Sequence, residues 1–279
     1  MKNYIFFALS FIGLSACNLS KEVELDLPEY TDQPVVECYL QPGKHFRLLL
    51  THSSAYFEPL GLDSSFVQKT LLQGATVTIT YSGQTDTLYN NNSFELSPFK
   101  LYNYTGHNIV SDTPGIEYQL KIILPNGGGD ISAKTKMLSF QPIDSVVIQW
   151  NLIDTSARAL TYITDDLKTT DFFRRTLNIN SLDSVPEQDF VWTDRVSTTS
   201  LIVFGTGFDL WTGNKVINTV YHIDQDYYDY LESVQLAILA NLNPFAQPSG
   251  IKSNVSGSAN PAGIFTCLVF DRDSTLVKM

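Results

Sequence analysis

The sequence offers few side chains in a spacing that supports catalysis. The nearest match to a serine nucleophile turn is Ser256-Gly257-Ser258, which lacks the flanking glycines of a G-x-S-x-G elbow. A serine hydrolase also needs a histidine and a carboxylate beside the nucleophile. A triad assembled from distant residues is the less favoured alternative. We therefore predict a non-enzymatic protein with no catalytic residues and no cofactor.

The histidines and acidic residues do not follow the spacing of metal ligands. None of the four histidines lies four residues from another with a glutamate between, as a zinc helix requires. Asp224, Asp226 and Asp229 offer oxygen ligands for calcium, but the glycine and glutamate of an EF-hand loop are missing. Acidic residues at the start of a helix also stabilise its macrodipole, and this reading is favoured. The sequence predicts no metal site.

Two cysteines, Cys38 and Cys267, fall in predicted strands. In an oxidising compartment they would form a disulfide, whereas in a core they would remain two buried thiols. Because they belong to different predicted domains, two buried thiols are favoured.

Candidate binding residues concentrate in the C-terminal third. One interpretation of its tyrosines is that they stack on a sugar or dock a partner. The favoured interpretation is that they pack against a sheet with the hydroxyl at the rim. The loop 243–263 is rich in Asn, Ser and Gly, and a loop of this length is usually functional or mobile. The candidate set is Tyr227, Tyr228, Tyr230, Asn243, Phe245, Ser253 and Asn254.

The first 16 residues resemble an export signal. Lys2 precedes an apolar run that is shorter than the roughly 20 residues a membrane-spanning helix needs. The run ends in Leu14-Ser15-Ala16-Cys17, which resembles the lipobox of bacterial lipoproteins. We expect cleavage between Ala16 and Cys17 and a lipid on the Cys17 thiol. A plain secretory signal is the alternative.

Residues 17–33 are then expected to form a lipidated tether. No aspartate follows Cys17 directly to signal retention at the inner membrane, and Lys21-Glu22 with Glu24 and Asp26 partly resembles the export signal of Bacteroidetes lipoproteins. We expect attachment to the outer membrane, facing the cell exterior.

Length and charge limit the remaining possibilities. A chain of 279 residues suits two domains, and 43% hydrophobic residues are enough for a core. The formal net charge of −11 repels phosphate backbones, which argues against a nucleic-acid partner.

Residues 34–141 show short alternating runs separated by turns, which predict an Ig-like or transthyretin-like sandwich of about seven strands. Segments 52–74 and 97–114 are predicted as long connections. The strands are expected at 35–40, 46–51, 75–81, 85–89, 118–124 and 131–137.

Residues 142–279 are predicted to form a second β-rich domain carrying one helix. That helix, 225–241, begins after the N-cap Asp224 and ends before Asn243-Pro244. Asp165, Asp166 and Asp171 are placed in a loop. Strands are expected at 145–150, 160–164, 172–179, 190–193, 201–204, 215–223 and, as one central strand, 264–271.

Several strings of residues resemble one family. They are Leu27-Pro28-Glu29-Tyr30, Val203-Phe204-Gly205-Thr206-Gly207-Phe208, Tyr221-His222-Ile223-Asp224, Tyr227-Tyr228-Asp229-Tyr230-Leu231, Asn243-Pro244-Phe245, Ser253-Asn254-Val255-Ser256-Gly257 and Gly263-Ile264-Phe265. Together they resemble the domain-of-unknown-function 4249 family of Bacteroidetes outer-membrane lipoproteins, over essentially the whole chain after Cys17. The family has no established catalytic residues.

The resemblance implies an outer-membrane lipoprotein that is often encoded beside a TonB-dependent receptor. We therefore expect an accessory subunit of a TonB-dependent transporter that caps it, hands over ligand or supports assembly. The alternative is a stand-alone surface lipoprotein that binds a glycan or a peptide.

Overall fold

A computed structural model describes residues 32–53, 69–241 and 250–278. The predictions for the signal segment, Ala16, Cys17, Asn243 and Phe245 lie outside these residues. The described residues belong to one unit, 32–279. They form three sheets and one long helix, so the predicted mainly β fold carrying one α-helix is confirmed for this part of the chain.

The largest sheet has eight strands in the order β14-β1-β2-β5-β4-β3-β6-β7. Its strands alternate buried and exposed side chains, as expected where one face covers a core. Their bounds are β1 Pro34–Leu40, β2 His45–His52, β3 Thr76–Tyr81, β4 Gln84–Leu96, β5 Phe99–Ile109, β6 Glu117–Ile123, β7 Asp130–Lys136 and β14 Ala262–Cys267.

This sheet rolls up so that its two halves face each other. The Phe46 ring on β2 lies 5.2 Å from that of Tyr81 on β3 and 6.0 Å from that of Tyr118 on β6, although these strands are not neighbours in the sheet. Two backbone hydrogen bonds join Ser132 on β7 to Ser256, just before β14. The edges of the sheet therefore meet, and the enclosed side chains form the largest core.

The seven remaining strands form a second pair of sheets. A four-stranded sheet has the order β11-β10-β13-β15, and a three-stranded sheet has the order β12-β9-β8. Phe173 and Val220 of the first sheet pack against Ile163, Ile202 and Phe204 of the second. The strands are β8 Ser145–Trp150, β9 Ala157–Thr164, β10 Phe172–Ile179, β11 Gln188–Thr193, β12 Leu201–Gly205, β13 Lys215–Ile223 and β15 Val269–Leu276.

The helix α1 (Gln225–Asn241) has the predicted bounds. Its first turn lies between the outer face of the large sheet and the four-stranded sheet, where Tyr227 packs with Ile264 and Ile223. Short 3-10 turns are found at Pro125–Gly127 and Asp194–Val196.

Two predictions about strands were wrong. Segment 97–114 was expected to be a connection, but it contains the 11-residue strand β5. Segment 264–271 was expected to be one central strand, but it is divided at Leu268 into β14 and β15, which lie at the edges of different sheets.

The predicted boundary at 141/142 separates the strands of the large sheet from those of the two smaller sheets, with one exception. Strand β14 follows the boundary in sequence but pairs parallel with β1 of the large sheet.

Cys38 and Cys267 are buried free thiols. They lie on the paired strands β1 and β14, so their assignment to different predicted domains does not correspond to a separation in the fold. The Cys38 thiol donates to the Arg47 carbonyl at 3.3 Å. Burial raises the pKa of both thiols, that of Cys267 to about 12, which leaves them protonated and unreactive.

Gly263 is the point where β14 comes closest to β1. It has a φ of +125°, and a Cβ built there would lie 2.0 Å from the Val36 carbonyl oxygen. A side chain here would therefore force the two strands apart.

We predict that Gly263→Ala lowers the free energy of unfolding by about 3 kcal/mol or more, through backbone strain and loss of strand pairing. Urea denaturation followed by circular dichroism measures the change. Gly250→Ala is the matched control, since a Cβ there meets open space, and it should shift stability by no more than about 0.5 kcal/mol. Equal effects of the two substitutions would contradict the structural role of Gly263.

Candidate ligand-binding cleft

A cleft of about 330 Å³ lies between the outer face of the large sheet and the four-stranded sheet. It opens beside a second concavity of about 520 Å³, and both are bordered by Phe99, Lys100, Arg174 and Tyr221. Leu49, Leu101 and Leu268 supply further apolar wall. The remaining residues that line the cleft are Glu37, Tyr39, Tyr102 and Tyr227.

The alternation of β1 directs two of these residues into the cleft. Val36, Cys38 and Leu40 face the core of the large sheet, so Glu37 and Tyr39 point to the opposite face. The Tyr39 ring packs edge-on against that of Tyr227, with centroids 5.8 Å apart. Burial raises the pKa of Tyr39, and the neighbouring Tyr227 and Glu37 raise it further.

Arg174 on β10 is held in one orientation by three hydrogen bonds. Its Nε and Nη2 donate to the two carboxylate oxygens of Asp189 at 2.8 and 2.6 Å. Its Nη1 donates to the Tyr227 hydroxyl at 2.9 Å, and the guanidinium lies 5.7 Å from the centroid of the Tyr221 ring. Burial lowers the pKa of Arg174, but Asp189, Tyr227 and Tyr221 together outweigh that effect, so the net shift of the pKa is upward and the guanidinium stays charged.

Lys100 and Glu37 add a second pair of charged groups. The Lys100 ammonium lies 5.8 Å from the centroid of the Tyr39 ring. Desolvation by surrounding atoms lowers the pKa of Lys100 while Glu95 opposes the shift, although the residue as a whole keeps contact with solvent. Burial raises the pKa of Glu37, and Lys100 opposes that shift. Among the described residues Lys100 forms no ion pair within 4.0 Å, so its charge is available to a ligand.

The three candidate tyrosines of α1 differ in their surroundings. Tyr227 is buried and contributes its hydroxyl to the Arg174 contact. Tyr230 is half-buried and its ring stacks at 6.3 Å on that of Tyr227. Tyr228 turns away from the cleft, packs on Phe172 and donates its hydroxyl to Glu232 at 2.7 Å. Only Tyr227 of these three therefore lines the cleft.

Ser253 and Asn254 lie away from the cleft and hold their own loop. The Asn254 side chain accepts from the Phe265 N–H at 2.9 Å and donates to the Phe265 carbonyl at 2.8 Å. The Ser253 hydroxyl donates to the Gly263 carbonyl at 2.8 Å. Asn254 also borders a separate polar concavity of about 680 Å³. The hydrogen bonds of these two residues attach the loop to β14.

Asp224 fixes the start of the helix that carries Tyr227. Its Oδ1 accepts from the Tyr227 N–H at 2.8 Å, as an N-cap does, which confirms the predicted cap. Its Oδ2 accepts from the hydroxyls of Thr135 on β7 and Thr266 on β14 at 2.9 and 3.1 Å. Burial raises the pKa of Asp224, and these bonds oppose the shift. One carboxylate thus ties the helix to both edges of the rolled sheet.

The chemistry of the cleft suits binding. The cleft presents aromatic faces beside three charged groups: the Glu37 carboxylate, the Lys100 ammonium and the Arg174 guanidinium, which is already paired with Asp189. Such a surface accommodates a ligand with a flat or apolar part and an acidic group.

Most residues of this site were not predicted from the sequence. Lys100 and Tyr102 were assigned to a connection because β5 was not predicted. Glu37 and Tyr39 did carry a signal, since they alternate with the apolar side chains of a predicted strand and therefore share its other face.

The domain of unknown function DUF4249 matches residues 20–272 of this chain. The match covers most of the sequence, and the chain belongs to this family. A search of curated proteins finds no match. Within the described residues, no helix has the length and hydropathy needed to cross a membrane.

We predict that Asp224→Ala lowers the free energy of unfolding by roughly 2 kcal/mol or more, because it removes the helix cap and leaves two threonine hydroxyls without their acceptor. Asp226→Ala is the control, because it is exposed in the first turn of the same helix and should cost only about 0.5 kcal/mol through the macrodipole. Urea denaturation compares the two variants. Similar losses would show that helix electrostatics, rather than the contacts of Asp224, decides stability.

Proposed function

We propose that this chain is a lipid-anchored, non-enzymatic accessory subunit of a TonB-dependent transporter, attached through Cys17 to the outer membrane and facing the cell exterior. The cleft between the large sheet and the four-stranded sheet would hold a ligand before it passes to the transporter. The observation that carries the binding role is the aromatic wall beside the oriented Arg174 and beside Lys100, which forms no ion pair with the described residues. The anchor and the transporter follow from the Leu14-Cys17 motif and from the family resemblance.

An exposed apolar hairpin tip supports a macromolecular partner. Phe94, Leu96 and Phe99 at the β4–β5 turn are 62%, 78% and 70% exposed. Val185 is 86% exposed and lines the concavity of about 520 Å³ together with Leu96 and Phe99. Exposed apolar groups gathered in this way mark interaction sites, and Phe99 also lines the cleft.

The alternative is a stand-alone surface lipoprotein that binds a glycan or a peptide. The tyrosine rings of the cleft favour it as much as they favour the accessory role, because both need a bound ligand. The two functions differ in whether a transporter remains attached.

Co-purification from native membranes tests the accessory role. We expect the full chain with a C-terminal affinity tag, expressed at its natural level and solubilised in mild detergent, to bring down a TonB-dependent receptor and to incorporate labelled palmitate. Cys17→Ser should abolish the palmitate label and change the membrane fractionation. Repeated absence of a receptor from a palmitate-labelled preparation would reject the accessory role and leave the stand-alone binder.

Binding by the cleft is tested separately with acidic peptides and acidic oligosaccharides as probes. We expect Lys100→Ala to weaken binding of the best probe by about tenfold, since it removes one charge-assisted contact. Isothermal titration calorimetry on the solubilised full chain measures this. The control is Lys168→Ala, an exposed lysine outside the cleft. Equal affinities for the Lys100→Ala variant and the parent chain would place the ligand elsewhere.

A further inference from the structure

Three carboxylates meet where one end of the two smaller sheets comes together. Asp165 follows β9 of the three-stranded sheet, whereas Asp171 precedes β10 and Asp194 follows β11 of the four-stranded sheet. One oxygen from each residue lies within 4.8 Å of the others. The pairing of β10 with β11 sets this arrangement, because it brings the Asp171 N–H to 2.9 Å from the Asp194 Oδ1. This cluster was not predicted from the sequence.

One oxygen of the cluster is buried without a partner. Asp165 is 6% exposed, and its Oδ2 has no hydrogen-bond partner among the described residues. Asp194 is equally buried. A buried carboxylate oxygen normally accepts at least one hydrogen bond or binds a cation, since burying it alone is costly. This unsatisfied oxygen belongs to the carboxylate that meets Asp171 and Asp194, and it therefore points to a positively charged ligand.

The protein supplies too little positive charge to balance the cluster. No lysine or arginine of the described residues forms an ion pair with any of the three aspartates. His222 is the only basic neighbour within ion-pair distance in this part of the chain, with its Nε2 at 2.9 Å from the Asp171 Oδ1. Its Nδ1 lies 2.9 Å from the Ser139 carbonyl, so each ring nitrogen faces an acceptor. The three carboxylates therefore outnumber their one basic neighbour.

We propose that Asp165, Asp171 and Asp194 form a binding site for a hard divalent cation such as calcium. Carboxylate oxygens are the ligands that calcium and magnesium prefer, whereas zinc and copper favour nitrogen and sulfur. His222 acts from outside, because its hydrogen bond orients the Asp171 carboxylate as second partners of metal ligands do. The bound cation would join the three-stranded sheet to the four-stranded sheet, at the end where β10 begins. Strand β10 also carries Arg174.

Without a cation, the three carboxylates lie close together with no lysine or arginine of the described residues paired to them. Their mutual repulsion should therefore weaken the fold unless a cation is bound.

Stripping the metal from the solubilised full chain and adding cations back tests this site. At pH 7.5, after treatment with chelator, CaCl2 or MgCl2 should raise the melting temperature, and calorimetry should show one site per chain. Asp165→Asn should weaken that binding by about tenfold or more. In chelator this variant should be at least as stable as the parent chain, because the amide removes the repulsion. Asp112→Asn, an exposed aspartate outside the cluster, should keep the full response.

Two results would overturn the proposal. One is no change in melting temperature with either cation up to about 10 mM, above the range of weak extracellular calcium sites. The other is an equal response of the parent chain and Asp165→Asn, which would place the cation elsewhere. If Asp165→Asn fails to fold, Asp194→Asn serves the same comparison, since its amide oxygen still accepts from the Asp171 N–H. The transporter and the cleft play no part in this test.

Discussion

The parallel pairing of β14 with β1 is the constraint on which the rest of the structure depends. It joins residues 34–40 to residues 262–267 across most of the chain, in a register that places Val36 beside Gly263 and Leu40 beside Cys267. Only glycine allows this approach at position 263. Once β14 is paired, the chain crosses at Leu268, whose N–H donates to the Leu40 carbonyl, and enters the four-stranded sheet as β15. This one strand pairing thereby links the large sheet to the four-stranded sheet.

The cleft is a consequence of that pairing. Because one face of β1 covers the core of the large sheet, its Glu37 and Tyr39 lie on the opposite face. Strand β15 continues from β14 into the four-stranded sheet. The β10–β13 surface of that sheet, with Arg174 and Tyr221, and the first turn of α1 therefore lie against Glu37 and Tyr39. Asp224 then secures the helix to Thr135 and Thr266, so Tyr227 reaches both Tyr39 and Arg174. The binding residues come from six separate elements and converge only in the folded chain.

Local pattern was enough to predict most strands and the helix, and it failed where polar residues are buried. Strand β5 resembles a loop in sequence because of its Asn, Gly and His residues. Its Asn103 is fully buried, with the amide bonded to the N–H and carbonyl of Leu50 and to the Leu72 carbonyl. Those partners are more than 30 residues away, so nothing local marks Asn103 as a strand residue. The family was predictable from short strings, whereas the cleft and the aspartate cluster depend on contacts between distant strands.

Arg174 and Arg175 show why residue type alone does not identify a site. Alternation along β10 sends Arg174 toward the cleft, where Asp189 and Tyr227 hold it. It sends Arg175 into the layer between the two smaller sheets, where it is fully buried and donates to Asn218 and Gln188. Burial lowers the pKa of Arg175 to about 10, since none of the described carboxylates pairs with it. Neighbouring residues of the same type therefore have different roles: Arg174 presents an oriented charge in the cleft, and Arg175 links β11 and β13 through its hydrogen bonds.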